Sequence, residues 1–424
     1  MAEYRNRIAD RLLAEKLSYI GAVLVQGPKW CGKTTTAEQH AKSVIYLNDP
    51  SKMEQNLQLA KLNIKSLLKG DTPRLLDEWQ LFPELWDAVR FTVDHRDGTG
   101  QFILTGSAVP ADKTNIHHTG TGRFSWLTMR TMSLWESGDS TGEVSLGSLF
   151  TSPEQIEGYS EHDIDAIAYL ICRGGWPGAV NVSNSAALKL AGDYYDAVVN
   201  SDLSRVDGVR RNPQTAMRIM RSLSRYQGTQ TPLSSIRKDI KLNEKDTIDD
   251  DTVYSYVDAM KKIFVIEDAP SWNPNLRSRS AIRVSDTRYY CDPSVAVAAL
   301  GIGPDDLIND LNTMGLLFET MCVRDLRVYA SALNGNVYHY RDSNGLECDA
   351  VVHLRNGRYG LVEIKLGGMD LINEGAATLA KLAGIIDTTK MPAPSFRMVL
   401  TAVGNYAYRM EDGTYVVPVG CLRD

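Results

Sequence analysis

The sequence lacks the features of an exported or membrane-embedded chain. No apolar run approaches the roughly 18 residues that a membrane-spanning helix requires, and the N-terminal stretch is charged throughout. The six cysteines are scattered, without a CxxC pair or the Cys/His spacing of a zinc site. These absences argue against a disulfide framework and a zinc ribbon, and they predict a cytoplasmic protein that does not associate with membranes.

Neither positive nor negative charge is in large excess. The formal net charge is −6, which does not support indiscriminate binding of nucleic acid but leaves room for a local basic groove. With 43% apolar and 23% charged residues, the chain is not a disordered, collagen-like or coiled-coil protein. Its 424 residues predict two to four domains, at about 100–200 residues per domain.

Strands and helices are predicted to alternate over the first 150 residues. The apolar stretch 19–26 indicates a buried strand, and it follows a helical pattern over 5–18. Helical patterns also separate the further predicted strands, which are 43–49, 73–79, 101–107 and 125–134. This alternation indicates a parallel α/β sheet.

The pattern changes twice further along the chain. Residues 153–230 are predicted to be mostly helical, and helices followed by strand-like runs within 212–290 are typical of a winged helix-turn-helix. From about residue 312, the order becomes a helix, three strands, a helix and a strand. We therefore predict three domains, 1–150, 151–305 and 306–424.

One loop carries a phosphate-binding motif. Residues 27–34, GPKWCGKT, match G-x-x-x-x-G-K-[ST] between a predicted strand and a predicted helix. Backbone N–H groups of such a loop cradle phosphates, while Lys33 would contact the β- and γ-phosphates and Thr34 would hold Mg²⁺. The sequence therefore predicts an ATP site formed by Gly27, Pro28, Lys29, Trp30, Cys31, Gly32, Lys33, Thr34 and Thr35.

Two carboxylates follow the third predicted strand. Asp77 would orient the ligands of Mg²⁺, and Glu78 would activate the attacking water as a general base. Two solvated acids at a strand end are the alternative interpretation. The P-loop motif favours the functional one.

Other positions are candidates for contact with the γ-phosphate. Ser107 ends the fourth predicted strand, where it and Thr105 either sense the γ-phosphate or bond the turn backbone. Arg123 is a candidate arginine finger, within its own chain or from a neighbouring subunit, and Arg130 is a second candidate. A finger from a neighbouring subunit would require a homo-oligomer.

Several motifs together resemble a known family. GPKWCGKT, RLLDEWQ, FILTGSA, MRTMSLWE, RGGWPGAV and RDSNGLECDAVV…VEIK resemble the motifs of prokaryotic AAA-type ATPases of the archaeal-ATPase and origin-recognition branch. The resemblance spans nearly the whole chain. It implies an α/β P-loop ATPase core of the ASCE type with a parallel sheet, a helical and winged-helix middle, and a nuclease-like C-terminal domain. It implies no particular substrate.

A second set of charged residues lies in the predicted C-terminal strands. Glu363 and Lys365 share one face of a strand, and Asp349 reaches that face if its strand forms a hairpin with theirs. Asp349 and Glu363 would then hold Mg²⁺ while Lys365 positions water or stabilises the phosphate. The set resembles the PD-(D/E)xK nuclease core, a restriction-endonuclease-like α/β fold, and the resemblance implies a further acidic residue at Glu319. Glu347 is an alternative ligand.

Basic residues near the predicted winged helix are candidates for contact with DNA phosphates. A solvated helical face is the alternative, because acidic residues follow at 246–251. The basic residues are Arg210, Arg211, Arg218, Arg221, Arg225, Arg237 and Lys238, with Arg277, Arg279 and Arg283 in the predicted wing.

Two functions fit these observations. The first is an ATP- and Mg²⁺-dependent protein that acts on DNA and carries a metal-dependent nuclease in its last domain. The second is a nucleotide-dependent switch that binds DNA or a protein partner without cleaving it. They differ in whether the residues around Asp349 perform chemistry.

Overall fold

The computed structural model describes residues 4–107, 119–152, 156–241, 248–274 and 285–424. The chain divides into two compact units, each interrupted in sequence. The first unit comprises Met1–Thr131, Asn200–Arg211 and Asp258–Val265, and the second comprises Met132–Val199, Asn212–Val257 and Ile266–Asp424. These units differ from three consecutive domains, because short helical pieces from the middle of the chain pack into the first unit. Arg277, Arg279 and Arg283 of the predicted wing lie outside the described residues.

Helices and strands alternate through the first unit up to residue 128. They are α1 (Ile8–Tyr19), β1 (Ala22–Gln26), α2 (Lys33–His40), β2 (Ser43–Tyr46), α3 (Met53–Asn63), β3 (Arg74–Asp77), α4 (Leu85–His95), β4 (Phe102–Gly106) and β5 (Phe124–Thr128). The strands pair in the order β2-β3-β4-β1-β5, and every pair is parallel. All five carboxyl ends therefore meet at one edge of the sheet.

The first sheet is buried on both faces, as parallel sheets generally are. Leu24 packs on one face with Trp86 of α4, and Val23 and Val25 pack on the other with Leu13 of α1. Successive side chains of a strand point to opposite faces, which explains why β1 is apolar at nearly every position. The strand predicted over 19–26 is observed over Ala22–Gln26, because α1 extends to Tyr19.

The predicted fifth strand is too long. It ends at Thr128, and the chain leaves the sheet before a short helix at Leu134–Ser137. The Ser133 hydroxyl accepts a hydrogen bond from Glu136 N at 3.3 Å, a side-chain cap that starts this helix.

The remaining elements continue from residue 134. They are α5 (Leu134–Ser137), β6 (Val144–Ser145), α6 (Leu146–Thr151), β7 (Gly158–Tyr159), α7 (Ile164–Arg173), α8 (Pro177–Val180), α9 (Asn184–Ala197), α10 (Leu203–Arg205), α11 (Pro213–Arg225), α12 (Leu233–Ile240), α13 (Asp250–Lys262), β8 (Ile266–Ala269), β9 (Thr287–Tyr290), α14 (Pro293–Leu300), α15 (Pro304–Asn309), α16 (Leu311–Ala332), β10 (Gly335–Arg341), β11 (Glu347–Leu354), β12 (Tyr359–Lys365), α17 (Met369–Ile385), β13 (Phe396–Thr401), β14 (Tyr406–Arg409), β15 (Tyr415–Pro418) and β16 (Leu422–Arg423). No helix within the described residues is both long enough and apolar enough to span a membrane.

The second unit contains a mixed sheet in the order β10-β11-β12-β13-β15-β14-β7. β10, β11 and β12 form an antiparallel meander, and β13 pairs with β12 in parallel after the crossover helix α17. Leu379 and Leu382 of α17 pack against Val351, Leu361 and Val399 of the strands. The predicted order of helix, three strands, helix and strand is observed from α16 to β13, whereas β7, β14 and β15 were not predicted.

A buried ionic cluster joins separate segments of the second unit. Arg324 on α16 contacts Asp292 at 3.0 Å and Asp325 at 2.7 Å, and all three side chains are at most 2% exposed. Asp292 also accepts a hydrogen bond from Gly175 N at 2.9 Å, and Asp325 accepts one from Leu134 N at 3.0 Å. The RGGWPGAV and MRTMSLWE motifs are therefore fixed by the same buried charges.

Removing the cation of this cluster is expected to destabilise the fold. Arg324→Ala leaves two buried carboxylates without their shared partner, and we expect a loss of about 3–5 kcal/mol in the free energy of unfolding. Chemical denaturation of the full chain measures this loss. Arg225→Ala is the control, because the Arg225 side chain is 59% exposed in its pair with Asp239 and its loss should change stability by less than about 1 kcal/mol. Equal losses in the two variants would contradict the interpretation.

Candidate functional site

The phosphate-binding loop lies at the carboxyl edge of the first sheet. It leaves β1 after Gln26 and enters α2 at Lys33. Gly27 and Gly32 have φ values of 151° and 98°, which side chains other than glycine rarely adopt. A Cβ atom at Gly27 would lie 2.0 Å from the carbonyl oxygen of Met129, so no larger residue fits there.

Lys33 is buried within this loop. Its Nζ donates hydrogen bonds to the carbonyl oxygens of Gly27 at 3.0 Å and Pro28 at 2.7 Å. The ammonium group is thereby held over the loop, where a phosphate would also be received. The tip of the loop is more exposed. Trp30 at the tip has a left-handed backbone with a φ of 64°, and its side chain is 54% exposed.

Two hydroxyl groups converge on Asp77 at the end of β3. Thr34 Oγ1 donates to Asp77 Oδ1 at 2.7 Å, and Thr105 Oγ1 donates to the same oxygen at 2.6 Å. The register of the sheet explains the contact, since Asp77 of β3 pairs directly with Thr105 of β4. The predicted metal ligands Thr34 and Asp77 are therefore in contact, and the geometry also includes Thr105.

Glu78 and Ser107 lie at the same edge of the sheet. Glu78 has a left-handed backbone with φ of 58°, and its carboxylate accepts a hydrogen bond from the side-chain amide of Gln80. Gln80 follows Glu78 by two residues and restrains it. Ser107 is buried and directly follows β4.

The remaining predicted loop residues divide by position. Lys29 forms an ion pair with Asp202 at 2.6 Å, within the first unit. The Cys31 side chain is fully buried beneath the loop, with Sγ 3.5 Å from the carbonyl oxygen of Met129. Thr35 is exposed on the first turn of α2. Lys29 and Cys31 thus support the shape of the loop.

The structure places Arg123 at the edge of the first sheet opposite the P-loop. Its carbonyl oxygen accepts from Ala22 N at the beginning of β1, whereas the P-loop follows the end of β1. Five strand residues at about 3.3 Å each separate the two edges, so Arg123 cannot act as a finger within its own chain. Its guanidinium group instead contacts Asp94 at 2.6 Å. Arg130 follows β5 at the edge that carries the P-loop.

A second group of charged residues is assembled in the second unit. Asp349 on β11 and Glu363 and Lys365 on β12 share one face of the sheet. Lys365 Nζ lies 2.8 Å from Glu363 Oε2 and 3.9 Å from Asp349 Oδ2. Asp349 Oδ2 also accepts a hydrogen bond from Ile364 N at 2.7 Å, where the regular pairing of the two strands has ended.

Glu319 of α16 lies beside this group and is partly buried. Tyr289 donates a hydrogen bond to Glu319 Oε1 at 2.6 Å, and a Cβ atom at Gly228 would lie 2.6 Å from the same oxygen. A cavity of about 80 Å³ adjoins this contact and is lined by Glu319, His339, Cys348 and Asp349, among others. Glu347 also lines this cavity, where it pairs with Arg341 at 2.9 Å.

Burial dominates the protonation of this group. It raises the pKa of Glu319 well above its usual range and raises that of Asp349, and it brings the pKa of Glu363 to about 8 with help from the Asp349 charge. For Lys365, burial lowers the pKa, but the charges of Asp349 and Glu363 more than offset this and raise it. Lys365 thus supplies positive charge next to Asp349 and Glu363, as a bound metal ion would.

Within the described part of the chain, no group of three or more His, Cys, Asp or Glu side chains is arranged to hold a metal ion. The donors that face one another are the two carboxylates of Asp349 and Glu363. Carboxylate oxygens suit Mg²⁺, which is often bound by one or two carboxylates together with water or a phosphate. The pair therefore fits Mg²⁺ only as a partial ligand set.

Several residues that complete these sites were not predicted from the sequence. Arg7 precedes α1 and donates to a carbonyl of the P-loop, Gln80 restrains Glu78, and Tyr289 contacts Glu319. Arg7 and Tyr289 lie outside every motif, and Gln80 ends the RLLDEWQ motif without a predicted role. Tyr289 lies 30 positions from its partner, so only the fold brings the two together.

Three family models match consecutive segments of the chain. Residues 20–137 match an AAA domain, residues 164–306 match a domain of unknown function (DUF8612), and residues 314–422 match another (DUF4143). No curated protein matches the chain.

Among solved structures, the chain is similar to a Walker-type ATPase of Pyrococcus abyssi. The two share 14% sequence identity, the match covers 69% of this chain and 94% of that one, and the TM-score is 0.41. A likeness this distant carries nothing about activity. The P-loop and the parallel sheet lie within residues 20–137, the segment that matches an AAA domain.

The raised pKa of Glu363 predicts a pH-dependent stability. Because the folded chain holds this proton more tightly than the unfolded chain, stability falls as the pH rises from about 4.5 to about 8. We expect Glu363→Gln to flatten this part of the profile. Thermal unfolding temperatures across this range, measured with a chelator present, provide the test.

Glu347→Gln is the control for that experiment, because it removes a half-exposed carboxylate from the neighbouring strand. This variant should keep the wild-type profile. A Glu363→Gln profile as steep as that of the wild type would contradict the assignment.

Proposed function

We propose that the first unit hydrolyses ATP with Mg²⁺ as its cofactor. The observation that supports this proposal best is the convergence of Thr34 and Thr105 on Asp77 beside the P-loop. Bound Mg²⁺ would neutralise charge that develops on the phosphates. Thr34 and Asp77 would hold the ion. Lys33 Nζ would release the carbonyl oxygens of Gly27 and Pro28 and donate hydrogen bonds to phosphate oxygens instead.

Glu78 is the proposed general base. It follows Asp77 at the correct edge of the sheet, and its carboxylate must leave the amide of Gln80 before it can reach a water molecule. Ser107 would contact the γ-phosphate. Arg130 is the proposed finger within the chain, whereas Arg123 can serve only from a neighbouring subunit of a homo-oligomer.

The ATPase assignment predicts separable effects of two variants. Lys33→Ala should abolish ATP binding, because the loop loses its only lysine positioned over the phosphate cradle among the described residues. Glu78→Gln should keep ATP binding but lower kcat by about 10²–10⁴-fold, as expected for loss of a general base. Binding of a fluorescent ATP analogue and release of phosphate measure the two effects. An unchanged kcat in Glu78→Gln would contradict its role.

We further propose that the protein acts on DNA through a restriction-endonuclease-like domain, residues 306–424. Asp349 and Glu363 support this proposal because they face each other across β11 and β12 with Lys365 between them. A bound Mg²⁺ would activate water for phosphodiester hydrolysis. Lys365 would then leave the carboxylates and contact the phosphate, and Glu319 would donate or accept a proton at the inner end of the site.

The order of elements in the middle of the chain supports a winged-helix-like arrangement. α11, α12 and α13 precede the antiparallel pair β8 and β9, and Thr229 forms a bridge with Arg288 of β9. The basic residues there give less support for DNA binding. Arg211, Arg225 and Arg237 are ion-paired with Asp207, Asp239 and Asp250, respectively.

One observation favours the alternative function, a nucleotide-dependent switch that binds DNA or a protein without cleaving it. Glu319 is covered by Tyr289 and by the backbone at Gly228. The adjoining cavity, about 80 Å³, is smaller than a nucleotide. The cavity as it stands therefore leaves no room for a whole nucleotide beside Glu319.

A cleavage assay distinguishes the two functions. Wild-type protein with Mg²⁺ or Mn²⁺ is expected to cut linear, single-stranded or four-way-junction DNA, and Asp349→Asn should abolish cutting while ATP hydrolysis continues. Asp387→Asn, which changes a surface carboxylate after α17, should cut like the wild type. Absence of cutting by the wild type under every condition would support the switch.

A further inference from the structure

We infer that Arg7 is a positioning residue for the nucleotide site. The inference rests on the proposed binding of ATP at the P-loop. Arg7 directly precedes α1, and its side chain is only 6% exposed. Its two terminal nitrogens donate to carbonyl oxygens in two different loops, Cys31 O at 2.9 Å and Arg130 O at 2.9 Å.

The contact with Cys31 sets the orientation of one P-loop peptide. A trans peptide is planar, so its C=O and N–H groups point in opposite directions. Because the carbonyl of Cys31 points to Arg7, the N–H of Gly32 points away from Arg7. The N–H groups of such a loop are the donors that receive phosphate oxygens, so Arg7 fixes the orientation of one of these donors.

The contact with Arg130 acts on the neighbouring loop. Met129 N donates to Gln26 O at 2.8 Å, which places residues 129–131 alongside the beginning of the P-loop. Arg7 therefore ties the P-loop to the segment that carries the proposed finger. One guanidinium group holds both segments at a fixed spacing, since its two donors diverge from a single planar group.

Other contacts bind the same N-terminal segment to α2. The Tyr4 hydroxyl lies 2.9 Å from Thr36 Oγ1 and donates to Asp10 at 2.7 Å, and Asp10 contacts His40 Nε2 at 3.0 Å. Thr36 and His40 belong to the helix that starts from the P-loop. Hydrogen bonds from residues 4–10 thus restrain α2, and the hydrogen bond from Arg7 to Cys31 restrains the P-loop.

The test compares Arg7 variants for ATP affinity and for turnover. We expect Arg7→Ala to raise the KM for ATP and the Kd of a fluorescent ATP analogue by about tenfold or more, with a smaller effect on kcat; a tenfold change is about 1.4 kcal/mol. Arg7→Lys keeps a cation that can reach one carbonyl, so its KM should lie between those of the wild type and Arg7→Ala.

Lys16→Ala is the matched control. It removes another contact of α1 with the sheet, Lys16 Nζ to Ser125 Oγ at 3.1 Å, at the edge away from the P-loop. Its KM should stay within about twofold of the wild type. Loss of folded protein alone would lower the apparent kcat and the unfolding temperature without changing KM, so the split between KM and kcat separates positioning from stability.

Two outcomes would overturn the inference. One is an Arg7→Ala protein that binds the ATP analogue with wild-type Kd. If Arg7→Ala does not fold, Arg7→Lys and Arg7→Gln are measured in its place. The other outcome is then a wild-type Kd in both of these variants, which would overturn the inference. Failure of the wild type to bind ATP would instead contradict the proposed function, which keeps the two failures distinguishable.

Discussion

The carboxylate of Asp77 is the point on which the nucleotide site depends. One of its oxygens accepts hydrogen bonds from Thr34 at the start of α2 and from Thr105 on β4. These contacts exist because parallel pairing brings the ends of β1, β3 and β4 to one edge of the sheet. The positions of Lys33, Glu78 and the P-loop follow from the same pairing.

In the second unit, three carboxyl groups (Glu319, Asp349 and Glu363) lie beside the same lysine, Lys365. Three carboxyl groups in a buried setting repel one another, and Lys365 compensates two of them at 2.8 and 3.9 Å. Burial raises the pKa of each of these carboxyl groups, so they hold protons more tightly than solvated carboxyl groups do. Metal binding at such a site would be coupled to proton release.

Local patterns in the sequence predicted the elements that carry both sites. The P-loop motif, the apolar strand before it and the Asp349, Glu363 and Lys365 spacing each depend on residues close together in the chain. Long-range contacts were beyond such patterns: the placement of Arg123 depends on strand register, and the cover of Tyr289 over Glu319 depends on packing. The interrupted units were missed for the same reason, since Asn200–Arg211 joins the first unit through tertiary contacts.

The most direct test of the account is the Mg²⁺ dependence of nucleotide binding. Titration of the full chain with a fluorescent ATP analogue, with and without Mg²⁺, should show binding that Mg²⁺ tightens. The same titration of Asp77→Asn should show binding that no longer responds to Mg²⁺, because the carboxylate that orients the ion is gone. No binding by the wild type, or an equal response to Mg²⁺ in both proteins, would contradict the account.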